Sequence, residues 1–456
     1  MSAPRALPAG PLVAFYGDDF TGSSASMEAL AFAGLETVLF LSPPLPERLA
    51  AFQGYRGIGI AGAARSRSPD WMDEHLPPVF GLLRSLGAPV VHYKVCSTFD
   101  SAPHVGSIGR AADIGARAFG GWIPLVVGEP SMGRFQSFGH LFALAHGRGY
   151  RLDRHPVMAR HPVTPMSEAD LGIHLARQTD LPIGLIDFVA MKRREGDARL
   201  AELIEAGHRV ISIDVLDEET QVEAGRLVWE CGQEQVFAIG SQGLEMALAA
   251  YWRASRLLPE AASPPRPAPV GQIAVVSGSV SPVTARQIAA AGQSGFTPIR
   301  VAAERAVDAR SWDGAIAEAV ERSLSALSAG ASPLAFTAAG PDDPAVSRLR
   351  DAIAVSGLSA EMVNDRIGAG LGRLLDAVLS ASRLKRAVIS GGDTSSHAAA
   401  MLGIDALTAI APMAPGSPLC LAHATAPERN GLELVLKGGQ VGGDDFFQVV
   451  RHGAAS

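Results

Sequence analysis

Two adjacent acids, Asp18 and Asp19, follow an apolar run at residues 12–16. Small and apolar residues then recur at helical spacing up to Gly34, which predicts a strand, a loop and a helix. Ligands of an open parallel sheet bind at the carboxyl ends of its strands, so we expect both acids to face a site. Paired carboxylates are costly unless a metal, a cationic ligand or a proton-transfer role compensates them. One of the two can instead cap the helix.

Basic residues follow a second predicted strand. The apolar segment 55–60 leads into small residues and then Arg65 and Arg67, ahead of Ser68-Pro69. The serine and proline predict a capped helix start, which explains neither arginine. Guanidinium groups at a strand end suit carboxylate or phosphate, so we expect Arg65 in particular to hold an anion.

A lysine and two hydroxyl groups end the next predicted strand. Lys94 lies inside an apolar run, and Ser97 and Thr98 follow it. A lysine in such a strand needs a partner, and we expect it to share the sheet edge with the two acids. A purely structural salt bridge to one of those acids is the alternative. A further strand at 124–127 leads into a turn that again ends on an arginine, Arg134.

Three glycine-rich turns follow predicted strands in the C-terminal half. They are Ser277-Gly278-Ser279-Val280, Gly391-Gly392-Asp393-Thr394 and Lys437-Gly438-Gly439-Gln440. Their backbone N–H groups can cradle phosphate, and the acid and hydroxyl of the second turn can reach a magnesium ion or its waters. None of the three is a P-loop or a dinucleotide fingerprint. We expect a nucleotide site, with a glycine hairpin as the alternative for the third turn.

The 456-residue chain is longer than one hydrophobic core usually serves. Prolines crowd residues 261–269, which cannot form regular helix or central strand. We therefore predict a domain at 1–260, a linker at 261–269 and a second domain at 270–456. Strands and helices alternate throughout, so the fold class is α/β: two domains, each a largely parallel sheet flanked by helices, with a ligand cleft between them.

Composition narrows the function class. Hydrophobic residues make up 47% of the chain, and the formal net charge is −7, which argues against nucleic-acid binding. The three cysteines are far apart and show no metal-ligand spacing. We find no export signal and no apolar run that would span a membrane, so we expect a cytoplasmic protein.

Ordered motifs along nearly the whole chain resemble those of the four-carbon acid sugar kinases. They are Gly17-Asp18-Asp19-Phe20-Thr21-Gly22, Arg65-Ser66, Lys94 with Ser97-Thr98, Gly240-Ser241-Gln242-Gly243-Leu244, the segment 277–284, Gly391-Gly392-Asp393-Thr394-Ser395, Pro415-Gly416-Ser417-Pro418 and Lys437-Gly438-Gly439-Gln440. The resemblance implies ATP-dependent phosphorylation of a small hydroxylated acid, with the acid held by the first domain and ATP by the second.

The resemblance also implies roles for individual residues. Asp19, or Asp18, is the expected general base, and the expected substrate-binding residues are Arg65, Lys94, Ser97 and Thr98. The residues expected to bind ATP and its Mg²⁺ are Ser277, Ser279, Gly391, Gly392, Asp393, Thr394 and Gly439. A homodimer is expected from the enzyme class alone.

The chain departs from the family pattern within the first domain. The family commonly has K-x-D-S-T-x-R-G-N, whereas this chain has Cys96 in place of the acid and Asp100 in place of the arginine. Losing a cation and gaining an acid should change which carboxylate or hydroxyl pattern is accepted. The variant pattern is similar to relatives that act on branched or oxo acid sugars such as 3-oxo-isoapionate.

Two other functions compete with a kinase. A sugar-acid aldolase or dehydratase would use Lys94 as a Schiff base, but it would leave the glycine turns without a purpose. A non-catalytic sugar-acid sensor would use a similar pair of α/β domains.

Overall fold

The computed structural model describes residues 4–145, 147–161, 163–260 and 262–453, with the side chains of residues 393 and 394 left out. The chain forms two compact units. The first takes the described residues up to Val38 and those from Pro43 to Ala262, and the second takes Leu39–Ser42 and the described residues from Ser263 onward. The linker at 261–269 stays a prediction, and residue 261 lies outside the described residues.

The first unit is built on a mainly parallel sheet. Its strands in chain order are β1 (Val13–Gly17), β2 (Thr37–Phe40), β3 (Gly57–Ala61), β4 (Val90–Lys94), β5 (Ile123–Val126), β6 (Arg134–Ser137), β7 (His140–Ala145), β8 (Arg148–Arg151), β9 (Ile183–Ile186), β10 (Val210–Ile213) and β11 (Val236–Gly240), of which β2 is divided between the two units after Val38. The main sheet has the order β2-β3-β1-β4-β11-β5-β10-β9, whereas β6, β7 and β8 form a separate antiparallel sheet. The pairs β1–β3, β1–β4, β4–β11, β5–β11, β5–β10 and β9–β10 are parallel. Their carboxyl ends therefore form one edge.

The helices of this unit are α1 (Phe20–Phe32), α2 (Pro46–Ala50), α3 (Pro69–Ser85), α4 (Ile108–Phe119), α5 (Leu171–Leu175), α6 (Phe188–Lys192), α7 (Gly196–Glu205), α8 (Glu218–Glu230) and α9 (Gly243–Ala254). As predicted, Ser68 caps α3 ahead of Pro69, its hydroxyl accepting from the Trp71 N–H. The rings of Phe80, Tyr93 and Phe237 pack together in the core under α3. This packing fixes β4, and with it the position of Lys94 at the strand end.

The second unit contains a mixed sheet. Its strands are β12 (Ala274–Ser277), β13 (Phe296–Arg300), β14 (Ser332–Phe336), β15 (Arg386–Ser390), β16 (Ile404–Ala414), β17 (Ser417–Ala424) and β18 (Glu433–Lys437), in the order β13-β14-β12-β15-β18-β17-β16. The pairs β13–β14, β12–β14, β12–β15 and β15–β18 are parallel, and β17 is antiparallel to both β16 and β18. Two domains of largely parallel sheet are thus confirmed.

The helices of the second unit are α10 (Pro282–Gly292), α11 (Ala309–Ser328), α12 (Pro344–Ser356), α13 (Ala360–Ser382), α14 (Gly392–Met401) and α15 (Phe446–His452). Ser281 caps α10 and Pro282 occupies its first position, as the Ser-Pro pair predicts. Among the described residues, every helix is too short or too polar to cross a membrane.

Candidate functional site

Asp18 stands at the junction of three elements on the carboxyl edge of the first unit. Its N–H donates to the Lys94 carbonyl at 3.0 Å, and its carbonyl accepts from the Arg65 N–H at 3.0 Å. The residue is only 2% exposed. Backbone hydrogen bonds therefore tie the ends of β1 and β4 to the loop after β3, and the Asp18 carboxylate lies buried between them.

Asp19 caps helix α1. Its Oδ1 accepts from the Gly22 N–H at 2.9 Å, and its Oδ2 accepts from the Thr21 hydroxyl at 2.6 Å. A β-carbon on Gly22 would lie 2.3 Å from Oδ1 of Asp19 and 2.8 Å from Nζ of Lys94, so this position needs glycine. The capping alternative is correct for Asp19, which still keeps 12% of its side chain exposed.

Arg65 compensates both acids. Its Nη2 donates to Oδ1 of Asp18 at 2.6 Å and to Oδ1 of Asp19 at 2.9 Å, while its Nε lies 3.3 Å from Oδ2 of Asp18. Burial, opposed by Arg65 and assisted by the Asp19 charge, raises the pKa of Asp18 to about 6. The positive charge that compensates the paired acids is thus supplied by the protein's own Arg65.

Lys94, the last residue of β4, is 1% exposed. Its Nζ donates to the Val95 carbonyl at 2.8 Å and faces the space beside Gly22 and Asp19. Among the described residues it forms no ion pair within 4.0 Å, so the structural salt bridge considered above is not present. Its positive charge nevertheless favours the ionised form of Asp18.

The loop after β4 carries a chain of hydrogen bonds. The Thr98 hydroxyl donates to Oδ1 of Asp100 at 2.6 Å and lies 3.0 Å from Sγ of Cys96. Burial acts to raise the pKa of Asp100, but Arg65 and the Thr98 hydrogen bond outweigh it and hold the pKa below its usual range. Ser97 is half-buried in the same loop. The predicted acids, cations and hydroxyls therefore do meet at one edge.

Arg134 also belongs to this edge, although its sequence position led to no assigned role. Its backbone forms two hydrogen bonds with Glu129, which places the first residue of β6 against the loop that follows β5. Its Nη1 donates to the carbonyls of Met132 and Gly133, whereas its Nε is buried without a partner. The signal in the sequence was an arginine ending a turn just beyond a strand.

The three glycine-rich turns of the second unit lie side by side. They follow β12, β15 and β18, which are neighbours in the sheet. The Gly278 N–H donates to the Ser390 carbonyl at 3.0 Å, and the Gly391 N–H donates to the Lys437 carbonyl at 2.8 Å. The Thr284 hydroxyl, in the helix that follows the first turn, donates to the Gly439 carbonyl of the third turn at 3.1 Å.

One glycine is required by this geometry and a second fits it closely. Gly391 has φ +119°, in the region that favours glycine, and it precedes the first residue of α14, Gly392. A β-carbon on Gly439 would lie 2.9 Å from Oγ of Ser279. Asp393 and Thr394 begin the same helix, but their side chains lie outside the described part of the structure.

Buried hydroxyls and one lysine lie beneath these turns. Ser277 is fully buried and Ser279 is 8% exposed. Nζ of Lys437 donates to the Thr284 hydroxyl at 3.2 Å and to the Gly438 carbonyl at 2.9 Å, and burial lowers the pKa of this lysine to about 7. The third turn leads to α15 rather than to a paired strand, so the hairpin alternative is wrong. Backbone N–H groups, hydroxyls and a lysine suit phosphate.

Metal ligation needs few protein groups at such a site. The described residues contain no cluster of three or more His, Cys, Asp or Glu side chains that could hold an ion. A magnesium ion bound to nucleotide phosphates keeps several waters and takes only one or two carboxylates. The hard oxygen donors of the second-unit turns, including the Ser277 and Ser279 hydroxyls, fit that chemistry.

Comparison with known proteins defines the class of both units. Residues 13–248 match the family described as the sugar-binding N-terminal domain, and residues 274–447 match the nucleotide-binding C-terminal domain. A sugar-binding domain followed by a nucleotide-binding domain is the arrangement that a sugar kinase needs.

Individual relatives agree with that class. A 3-oxo-isoapionate kinase from Paraburkholderia graminis is 50% identical, over 98% of this chain and 96% of the relative. A 3-oxo-tetronate kinase from Methylobacterium radiotolerans is 32% identical, over 94% and 96%. The crystal structure of a DUF1537 protein from Haemophilus influenzae has the same fold, with TM-score 0.69 and 23% identity over 96% of this chain and 99% of that one.

The chain belongs to the four-carbon acid sugar kinase family, the family formerly known as DUF1537. It is a phosphotransferase that acts on a hydroxyl group of a sugar acid and uses ATP. The resemblance drawn from the ordered motifs is therefore confirmed.

Proposed function

We propose that this kinase phosphorylates a branched 3-oxo sugar acid of the 3-oxo-isoapionate type. The support is the 50% identity to the Paraburkholderia graminis 3-oxo-isoapionate kinase, against 32% to the Methylobacterium radiotolerans 3-oxo-tetronate kinase. The Cys96 and Asp100 departures in the first unit agree with a substrate that differs from the common one.

The observation that carries the mechanism is the Asp18–Asp19–Arg65 cluster at the end of β1. We assign the general base to Asp19. A base must come within hydrogen-bond reach of the hydroxyl that it deprotonates. The Asp19 side chain is 12% exposed, whereas that of Asp18 is 3% exposed and both of its oxygens accept from Arg65.

The other residues orient the reacting groups and neutralise their charge. Asp18 holds the Arg65 guanidinium, and Arg65 in turn orients the Asp19 carboxylate. Lys94 lies beside Asp19, where it offers positive charge to the transferring phosphoryl group or to the acid. The hydroxyls of Ser97 and Thr98 are assigned to the polar groups of the sugar acid. Phosphoryl transfer depends mainly on such positioning and electrostatic stabilisation.

The second unit is assigned to the nucleotide. Ser277, Ser279, Gly391, Gly392 and Gly439 offer hydroxyls and backbone N–H groups to the phosphates. Asp393 and Thr394 are the residues that we assign to Mg²⁺ or to its waters. When bound, Mg²⁺ neutralises charge on the phosphate oxygens.

The test is ADP release by the purified protein with ATP and Mg²⁺. The panel contains erythronate, threonate, 3-oxo-tetronate and 3-oxo-isoapionate, and Asp19→Asn serves as the variant. We expect the highest kcat/KM on 3-oxo-isoapionate and a loss of about 10²- to 10⁴-fold in kcat for the variant. Preference for 3-oxo-tetronate would overturn the substrate assignment, and full activity of Asp19→Asn would overturn the base.

The competing functions have their own readouts. Borohydride trapping of substrate on Lys94 would indicate the lyase, and sugar-acid binding without ADP release would indicate the sensor.

We also propose a cytoplasmic location, because a kinase needs a supply of ATP. The expected homodimer stays a prediction that the mass of the purified protein in solution tests.

A further inference from the structure

Arg134 is a half-buried cation without a counter-ion among the described residues. Its Nη1 contacts are the backbone carbonyls of Met132 and Gly133, its Nε is buried with no partner, and among the described residues it forms no ion pair within 4.0 Å of a carboxylate. Burial lowers the pKa of the Arg134 side chain. An arginine nevertheless stays protonated at neutral pH, so an uncompensated positive charge remains on this edge of the first unit.

Of the other cations of the edge, Arg65 is paired with acids of the protein and Lys94 lies near one of them without an ion pair among the described residues. Arg65 donates to both Asp18 and Asp19, and the positive charge of Arg65 also acts on Asp100. Lys94 faces the space beside Asp19. A sugar acid brings a carboxylate of its own, and Arg65 is available to it only in competition with Asp18 and Asp19, whereas Arg134 has no such competitor within 4.0 Å among the described residues.

A negative charge on Cys96 would raise the pKa of Arg134, so the protonation of this thiol decides whether Arg134 has a counter-charge in the protein. Burial and the neighbouring Asp100 raise the pKa of Cys96 to about 11, so this thiol is neutral at pH 7 and provides no counter-charge. Cys96 lies in the loop after β4, Arg134 is hydrogen-bonded to Glu129 in the loop after β5, and the single strand β11 separates β4 from β5. At ordinary strand spacing the two loops are about 10 Å apart, within reach of an arginine side chain.

We propose that Arg134 binds the carboxylate of the sugar-acid substrate, and that the neutral Cys96 thiol keeps the guanidinium available for it. This inference rests on the proposed function and deepens it, since it names a specificity-determining residue of the same site. An acid at position 96 would pair with Arg134 and compete with the substrate. The thiol avoids that competition.

The first test compares an acid with its uncharged analogue. Wild type and Arg134→Gln are assayed for ADP release with 3-oxo-isoapionate and with its primary amide, which lacks the carboxylate. A charge-assisted hydrogen bond contributes about 1.5–3 kcal/mol, so we expect Arg134→Gln to lose about 10- to 100-fold in kcat/KM on the acid, mainly through KM. The loss on the amide should be much smaller, and KM for ATP should not change.

A matched control uses the same substitution in the same small sheet. Arg151 ends β8 and is already paired with Asp153 at 2.6 Å, so Arg151→Gln should leave the preference for acid over amide unchanged. Thermal unfolding of each variant confirms that it is folded. If Arg134→Gln lowers activity equally on acid and amide, Arg134 has a structural role and the proposal is wrong.

The second test adds the missing counter-charge. Cys96→Asp should raise KM for the acid about as much as Arg134→Gln does, whereas Cys96→Ser, which stays neutral, should leave KM within about threefold. Unchanged KM in Cys96→Asp would contradict the role of the thiol. If wild type turns over no acid of the panel, the proposed function fails. Turnover by wild type with no acid-specific effect of Arg134→Gln overturns this inference alone.

Discussion

The two units present similar sheet edges with opposite chemistry. In the first unit the edge consists of charged side chains, with Arg65 bridging Asp18 and Asp19 and Lys94 beside them. In the second unit the edge consists of backbone N–H groups and hydroxyls, with Lys437 as the buried cation beneath the turns. Phosphates are alike in every nucleotide, so backbone groups suffice to hold them. A sugar acid must be distinguished from its analogues, which needs side chains that differ between relatives.

The difference predicts that the first edge depends more on each of its charges. Removing Arg65 should have the largest effect on stability, because Asp18 and Asp19 would remain buried without their cation. We expect Arg65→Gln to lower the free energy of unfolding by about 3 kcal/mol, since the Arg65 side chain is 25% exposed and part of the charge is screened. Urea denaturation measures this, with Arg151→Gln as the control. A loss within 0.5 kcal/mol, roughly that of a surface site, would show that the ion pairs contribute little.

The next largest difference between the two edges should be the loss of activity when one glycine in each is replaced by alanine. In Gly22→Ala the new β-carbon would meet Asp19 and Lys94, and a displacement of the base of about 1 Å costs roughly 10²-fold in kcat. In Gly439→Ala the contact at 2.9 Å is with the Ser279 hydroxyl, which can rotate away. We expect Gly439→Ala to raise KM for ATP only about threefold. Steady-state kinetics checks both variants, and equal losses would remove the contrast.

The buried lysine of the second edge predicts a pH dependence of ATP binding. Free Lys437 has a pKa of about 7, and the negative charge of a bound triphosphate raises it. ATP binding should therefore take up a proton, and affinity should fall as pH rises from 7 to 9, by up to about tenfold per pH unit. Calorimetry in buffers of different ionisation enthalpy detects the proton. Lys437→Met should abolish this uptake, and uptake that persists in the variant would contradict the assignment.

The smallest expected effect is a fall in kcat/KM at acidic pH. Asp18 has a pKa of about 6, above its ordinary value, so it becomes protonated as pH falls below 6 and releases Arg65. We expect kcat/KM to decline below pH 6 while KM for ATP, which depends on the second edge, stays constant. The pH profile of Asp18→Asn should lack this fall. A wild-type profile that is flat to pH 5 would show that the pair does not control activity.

Local sequence patterns predicted the parallel strands and the helix starts well, because strand, turn and cap signals act over a few residues. The Asp19 cap, the Ser68-Pro69 start of α3 and the Ser281-Pro282 start of α10 are all present. The order Ser167-Glu168-Ala169-Asp170 is typical of a capping box that opens a helix, and it predicts a helix start there, but that prediction is wrong. Asp170 itself caps the short helix α5, and Oε1 of Glu168 accepts from the N–H groups of Ala169 and Asp170.

Other parts of the fold depend on long-range pairing. The sequence showed no separate signal for the antiparallel sheet β6–β8 or for the antiparallel strand β17, because alternating apolar and polar residues do not specify a partner strand. The assignment of Arg65 to a ligand rested on its position at a strand end. Which anions it meets depends on the distance between loops that lie 46 residues apart in the chain.

The sequence by itself determined the α/β class, the edge on which the reactive groups lie and the family, since each depends on residue types in order along the chain. The tertiary structure alone decided which charges are already paired. Arg65, Lys94 and Arg134 look alike in the sequence as cations near strand ends. Arg65 is paired with two aspartates, whereas Lys94 and Arg134 form no ion pair among the described residues, and that difference arises from the contacts between strand-end loops.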